Sequence, residues 1–131
     1  MPHKILNTLL YIDDDDAHLR SMVAMALETI GNYTVKLCAS GAEALALLQH
    51  FTPDMILLDV IMPEMDGLET LKRIQELEAC KNTPVIFMTG RSTPELISTF
   101  KQAGALDIIA KPFNPLQLPS QLETLWNQYD Q

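Results

Sequence analysis

The sequence predicts an α/β domain, a parallel sheet of five strands with helices on both faces. Two observations carry that prediction. Short apolar runs alternate with longer segments whose apolar residues recur at helical spacing. The central run Met55-Ile56-Leu57-Leu58 has no polar alternation, as a strand covered on both faces requires.

Ile5 to Ile12 reads as the first strand, stopping at the acids Asp13-Asp14-Asp15-Asp16. Over residues 17–30, Leu19, Met22, Val23, Ala26, Leu27 and Ile30 form a helical stripe, and Gly31-Asn32 closes the helix. Tyr33 to Ala39 is the second strand, and Ser40-Gly41 opens a helix running to His50. After the third strand, which ends at Asp59, Asp66-Gly67 leads into a helix with Leu68, Leu71, Ile74 and Leu77 on one face. Thr83 to Met88 is the fourth strand, with Pro84 tolerated among its first residues. Pro94 opens the next helix and Gly104 ends it. Leu106 to Ala110 is the fifth strand, and the last helix spans residues 115–129, with Trp126 expected to pack on the sheet.

The 131 residues are expected to form a single domain, 1–131, with no output domain attached. A net charge of -8 and a pI of about 4.6 argue against nucleic acid and anionic membrane as partners, since both are bound through Lys and Arg. Cys38 and Cys80 are too few for a disulfide framework. No apolar stretch is long enough to span a bilayer or to serve as a signal peptide, so the expected location is cytoplasmic. His3, His18 and His50 lack metal-ligand spacing.

In open α/β sheets, ligands sit outside the carboxyl ends of the strands. Here those ends carry the acidic run, Asp59, Thr89-Gly90 and Lys111-Pro112. Clustered carboxylates repel, and a divalent cation with oxygen preference resolves this. An Asp carboxylate can also act as a nucleophile. A solvated acid cluster and a capping Asp are the plain alternatives, and Thr89 and Lys111 gain weight only from position.

The segment from Pro53 to Gly67, with its apolar strand, Asp59, Met62-Pro63 and Asp66-Gly67, resembles the phosphorylation segment of response-regulator receiver domains. Leu10 to Asp14, Ser40 to Leu45, Pro84 to Thr89 and Gly104 to Phe113 resemble further segments of that family, in order. The resemblance implies a flavodoxin-like, doubly wound sheet of strand order 2-1-3-4-5. It implies that Asp59 accepts a phosphoryl group, and that Asp13, Asp14, Asp59 and the Ile61 carbonyl hold Mg2+. It further implies that Thr89 and Lys111 bind the phosphoryl group, with a cis bond between Lys111 and Pro112. Asp14-Asp15 is an alternative pair of ligands. The implied partners are a sensor histidine kinase or a histidine phosphotransfer protein as donor, and a downstream effector protein. The role is then a signalling phosphoacceptor, catalysing only its own phosphorylation and dephosphorylation.

The sequence departs from the family pattern at Ile108, where many receivers carry a switching aromatic. Ile61 and Arg91 occupy positions that tune self-hydrolysis in the family, and apolar Ile61 points to a long-lived acyl phosphate. Two rivals compete with this reading. A phosphatase of the haloacid dehalogenase kind would use Asp13-x-Asp15 and leave the Asp59 segment unexplained, and a degenerate binding module would not need the full residue set.

Overall fold

The computed structural model describes residues 4–14 and 17–129. The elements alternate: β1 (Thr8–Ile12), α1 (Ala17–Thr29), β2 (Thr34–Cys38), α2 (Gly41–Leu47), β3 (Met55–Asp59), α3 (Gly67–Gln75), β4 (Val85–Thr89), α4 (Pro94–Gln102), β5 (Asp107–Ala110) and α5 (Leu118–Tyr129). A 3-10 turn at Glu78–Cys80, which apolar periodicity does not reveal, links α3 to β4. All strand pairs are parallel, in the order β2-β1-β3-β4-β5. This is the predicted flavodoxin-like architecture.

The period of two along each strand splits the core into two layers. Leu10, Ile12, Ile56, Leu58, Val85 and Phe87 face one layer, completed by Ala44, Leu71, Ile74 and Phe100 of α2, α3 and α4. Leu9, Tyr11, Met55, Leu57, Ile86 and Met88 face the other, completed by Val23 and Leu27 of α1 and Leu118, Leu122 and Trp126 of α5. Burial on both faces explains the unbroken apolar runs of β3 and β4.

Local chemistry sets the helix ends. Ser40, Asp66 and Thr93 cap α2, α3 and α4 by accepting the N–H of Glu43, Glu69 and Leu96. Gly104 adopts φ +116° after α4, and a Cβ there would strike the Gln75 amide.

Several predicted boundaries move inward for identifiable reasons. β1 begins at Thr8, because the Asn7 and Thr8 N–H groups donate to the Asp54 carboxylate, and Ile5 is left exposed. α2 stops at Leu47, where Gln49 and His50 tighten onto the carbonyls of Ala46 and Leu47. α5 begins at Leu118, since Asn114 folds the preceding turn onto Leu116 and Gln117. In α1 the buried residues are Val23, Ala24, Ala26 and Leu27, whereas Leu19, Met22 and Ile30 of the predicted stripe are exposed. The stripe is wider than the surface the sheet can cover. Among the described residues, no helix is long and apolar enough to cross a membrane. Both cysteines are buried and free.

Candidate functional site

Register brings the site together. β1 and β3 pair Tyr11 with Leu57 and Ile12 with Leu58, so the next step sets Asp13 beside Asp59. Both acids continue the strand face that carries Tyr11 and Leu57. β4 and β5 pair Thr89 with Ala110, and the Lys111 N–H donates to the Thr89 carbonyl at 2.7 Å. By the same alternation Lys111 follows Ile109 onto the face of Asp13 and Asp59, while Thr89 lies on the opposite face with Phe87.

The contacts agree with this placement. Lys111 Nζ lies 2.9 Å from Asp13 Oδ2 and 3.5 Å from Asp59 Oδ2, so its ammonium bridges the two carboxylates. The Lys111–Pro112 peptide is cis. Asp13, Asp59 and Thr89 are buried, and Asp14 is exposed at the rim. One carboxylate oxygen from each of Asp13, Asp14 and Asp59 falls within 4.8 Å of the others. The donors are all oxygen, with no thiolate or imidazole, and their spacing approaches the ~4 Å span of a magnesium coordination sphere. The residues therefore fit a hard divalent cation. Asp15 and Asp16 lie outside the described residues.

Burial raises the Asp59 carboxyl, and the charge of Asp13 raises it further; Lys111 pulls it back, Asp14 adds to the rise, and the result is about 7. A pocket with this surplus of negative charge favours a cation. The Thr89 hydroxyl oxygen accepts the Arg91 N–H at 3.0 Å, which leaves its hydrogen to donate. Ile61 stands in the loop two residues beyond Asp59 and is 70% exposed.

Gly67 fixes the far end of that loop. A Cβ there would stand 2.6 Å from the Asp59 carbonyl oxygen and 2.7 Å from Val60 Cα. Only glycine lets α3 start this close to the strand end, where the Gly67 N–H donates to the Val60 carbonyl at 2.7 Å.

Sequence reading alone missed two site residues. The Tyr11 hydroxyl donates to Asp13 Oδ2 at 2.8 Å, and an Arg20 guanidinium nitrogen donates to the Asp13 carbonyl at 3.2 Å. Tyr11 was detectable in principle, because it lies two residues before Asp13 and so shares its strand face. Arg20 had no comparable signal, since its reach depends on how α1 packs.

Comparison with known proteins agrees with this geometry. Residues 10–123 match the response regulator receiver domain model. The chemotaxis protein CheY of Bacillus subtilis is 34% identical over 113 residues, covering 86% of this chain and 88% of that protein. Response regulator Rre1 of Synechocystis sp. is 33% identical over 117 residues, covering 88% of this chain and 50% of the relative. The chain spans about a quarter to a half of most of the curated relatives it matches. The solved structure of chemotaxis response regulator CheY4 of Vibrio cholerae superimposes with a TM-score of 0.84 at 36% identity, covering 92% of this chain and 99% of that one. With its strand order, its acidic pocket and a family match over nearly its whole length, this chain belongs to the response regulator receiver domain family.

Proposed function

We propose that this chain is the phosphoacceptor of a two-component phosphorelay and that Asp59 takes the phosphoryl group from a phosphohistidine donor. The observation that carries this reading is the convergence of Asp13, Asp14, Asp59 and Lys111 at the carboxyl edge of the sheet. An Asp59 carboxylate oxygen attacks phosphorus, the P–N bond breaks, and its electron pair leaves with the donor imidazole. Asp13, Asp14, Asp59 and the Ile61 carbonyl would hold a magnesium ion, which would supply charge neutralisation on the transferring group. The Lys111 ammonium turns to one phosphoryl oxygen, and the Thr89 hydroxyl donates to another.

Two surfaces fit the partners of this reaction. Leu19, Val23, Pro112, Phe113 and Pro115 line a cavity that also reaches Lys111. The apolar lining continues along α1 through Met22, Met25 and Ile30 to Leu116. Because this surface is continuous with the site, its occupant is the protein that delivers the phosphoryl group, a kinase or a phosphotransfer protein. The output face is α4, β5 and α5. Thr89 shares a strand face with Phe87, whose ring meets Phe100 of α4 edge-on at 5.1 Å. Phe100 is the only buried residue of α4, so a pull on Thr89 acts on a lightly anchored helix. That route to the effector needs no aromatic at Ile108.

The test is labelling with acetyl phosphate and magnesium, with Asp59→Asn beside the wild type. The wild type is expected to acquire one hydroxylamine-labile acyl phosphate, and the variant none. Label that survives Asp59→Asn, or turnover that needs Asp13 alone, would point to the phosphatase chemistry; no label would point to a binding module.

A further inference from the structure

We infer that Tyr11 is a positioning residue for the cation ligand Asp13, an assignment that rests on the magnesium-dependent reading above. Tyr11 is almost fully buried, and its ring packs in the core layer beneath α1 and α5. Its hydroxyl emerges from that layer and donates to Asp13 Oδ2 at 2.8 Å. The same oxygen accepts from the Lys111 ammonium at 2.9 Å. Two donors converge on Oδ2 and fill its lone pairs, so a bound cation would be met by the opposite oxygen. The carboxylate plane is thereby fixed before the ion arrives. Partners of this kind, which orient a ligand without touching the metal, tune affinity strongly.

The two donors differ in what they can do later. Lys111 sits on a flexible stem, also lies 3.5 Å from Asp59, and turns toward the phosphoryl group when it arrives. Tyr11 cannot follow, because its ring is locked in the core. Its hydroxyl then remains on Oδ2 and keeps Asp13 from swinging away as the charge in the pocket is rearranged.

The experiment compares magnesium binding by calorimetry in the wild type, Tyr11→Phe and Tyr33→Phe. Tyr33 is the matched control, since its hydroxyl also leaves the core layer of α1 and α5 but donates to Glu123. Tyr11→Phe is expected to weaken magnesium binding about tenfold, as loss of an orienting partner does. Tyr33→Phe is expected to leave it unchanged. In acetyl phosphate labelling, Tyr11→Phe should raise the magnesium concentration needed for half-maximal rate. Equal magnesium affinity in Tyr11→Phe and wild type overturns the assignment, and so does an equal loss in both variants. A measurement on the wild type guards against a variant that fails to fold. The Tyr11 phenolic proton should be protected from exchange and its resonance should move on adding magnesium; a rapidly exchanging proton overturns the assignment. Failure of the wild type itself to bind magnesium or to label at Asp59 is a different result, which removes the proposed function.

Discussion

Gly67 shows how little room the site leaves at the scale of one residue. Its missing Cβ is what lets the start of α3 press on the Asp59 carbonyl and on Val60. Gly67→Ala is expected to cost about 2 kcal/mol of stability through overpacking, read by urea denaturation. Because the displaced atoms belong to Asp59 and its neighbour, acetyl phosphate labelling should also slow, even in the folded fraction. At this scale the sequence was legible wherever a side chain carries its own chemistry at a strand end. Asp13 and Asp59 stand out by residue type, and Thr89 and Lys111 only by the apolar runs that deliver them to strand ends. Tyr11 sits among core residues of β1, and its place two residues before Asp13 was the one sign that its hydroxyl could reach that carboxylate. Arg20 reads as a helix-surface charge until α1 is docked.

Among the elements, β1 and β3 are fastened at their amino ends by Asp54. Its carboxylate accepts the Asn7 and Thr8 N–H groups at 3.0 Å each and lies 2.8 Å from Lys4 Nζ. Burial alone would raise this carboxyl, but the Lys4 contact and the two backbone donors outweigh it and hold it below the ordinary range. A depressed carboxyl contributes stability that is present above its unfolded pKa, ~3.9, and lost as pH falls through the folded value. Asp54→Ala should therefore destabilise the protein at pH 7 by about 2 kcal/mol, since two backbone donors lose a charged acceptor. The gap from wild type, followed by denaturation across an acid series, should shrink below about pH 4 as the native carboxyl is neutralised. The same contact explains why periodicity overran the start of β1. Apolar pattern marks where a strand is buried, and it says nothing about whether an N–H is taken by a ladder or by a side chain. The exposed part of the α1 stripe has a similar origin. Helical spacing reveals which residues share a face, and the sheet decides how much of that face it covers.

For the molecule as a whole, the uncovered part of α1 is an apolar surface that runs up to the acidic pocket, where we propose that the donor protein docks. Met25 is 64% exposed on it, so a charge there leaves the fold intact. Met25→Glu is expected to slow phosphoryl transfer from a cognate donor protein roughly tenfold, the effect of losing one apolar anchor. Labelling by acetyl phosphate, which needs no protein contact, should match the wild type. Equal loss with both donors would mean that the substitution acts on the pocket and that the donor docks elsewhere.

The edge of the sheet remote from the carboxylates carries a different consequence. There the Trp126 indole donates to the Lys4 carbonyl at 2.7 Å, and the Tyr129 hydroxyl donates to the carbonyl of Asn82. The first and last described stretches of the backbone are thus neighbours, a full strand length from Asp59. A short peptide bridge between them, with new ends cut elsewhere, would yield a circular permutant that keeps its acidic pocket clear of any fused reporter.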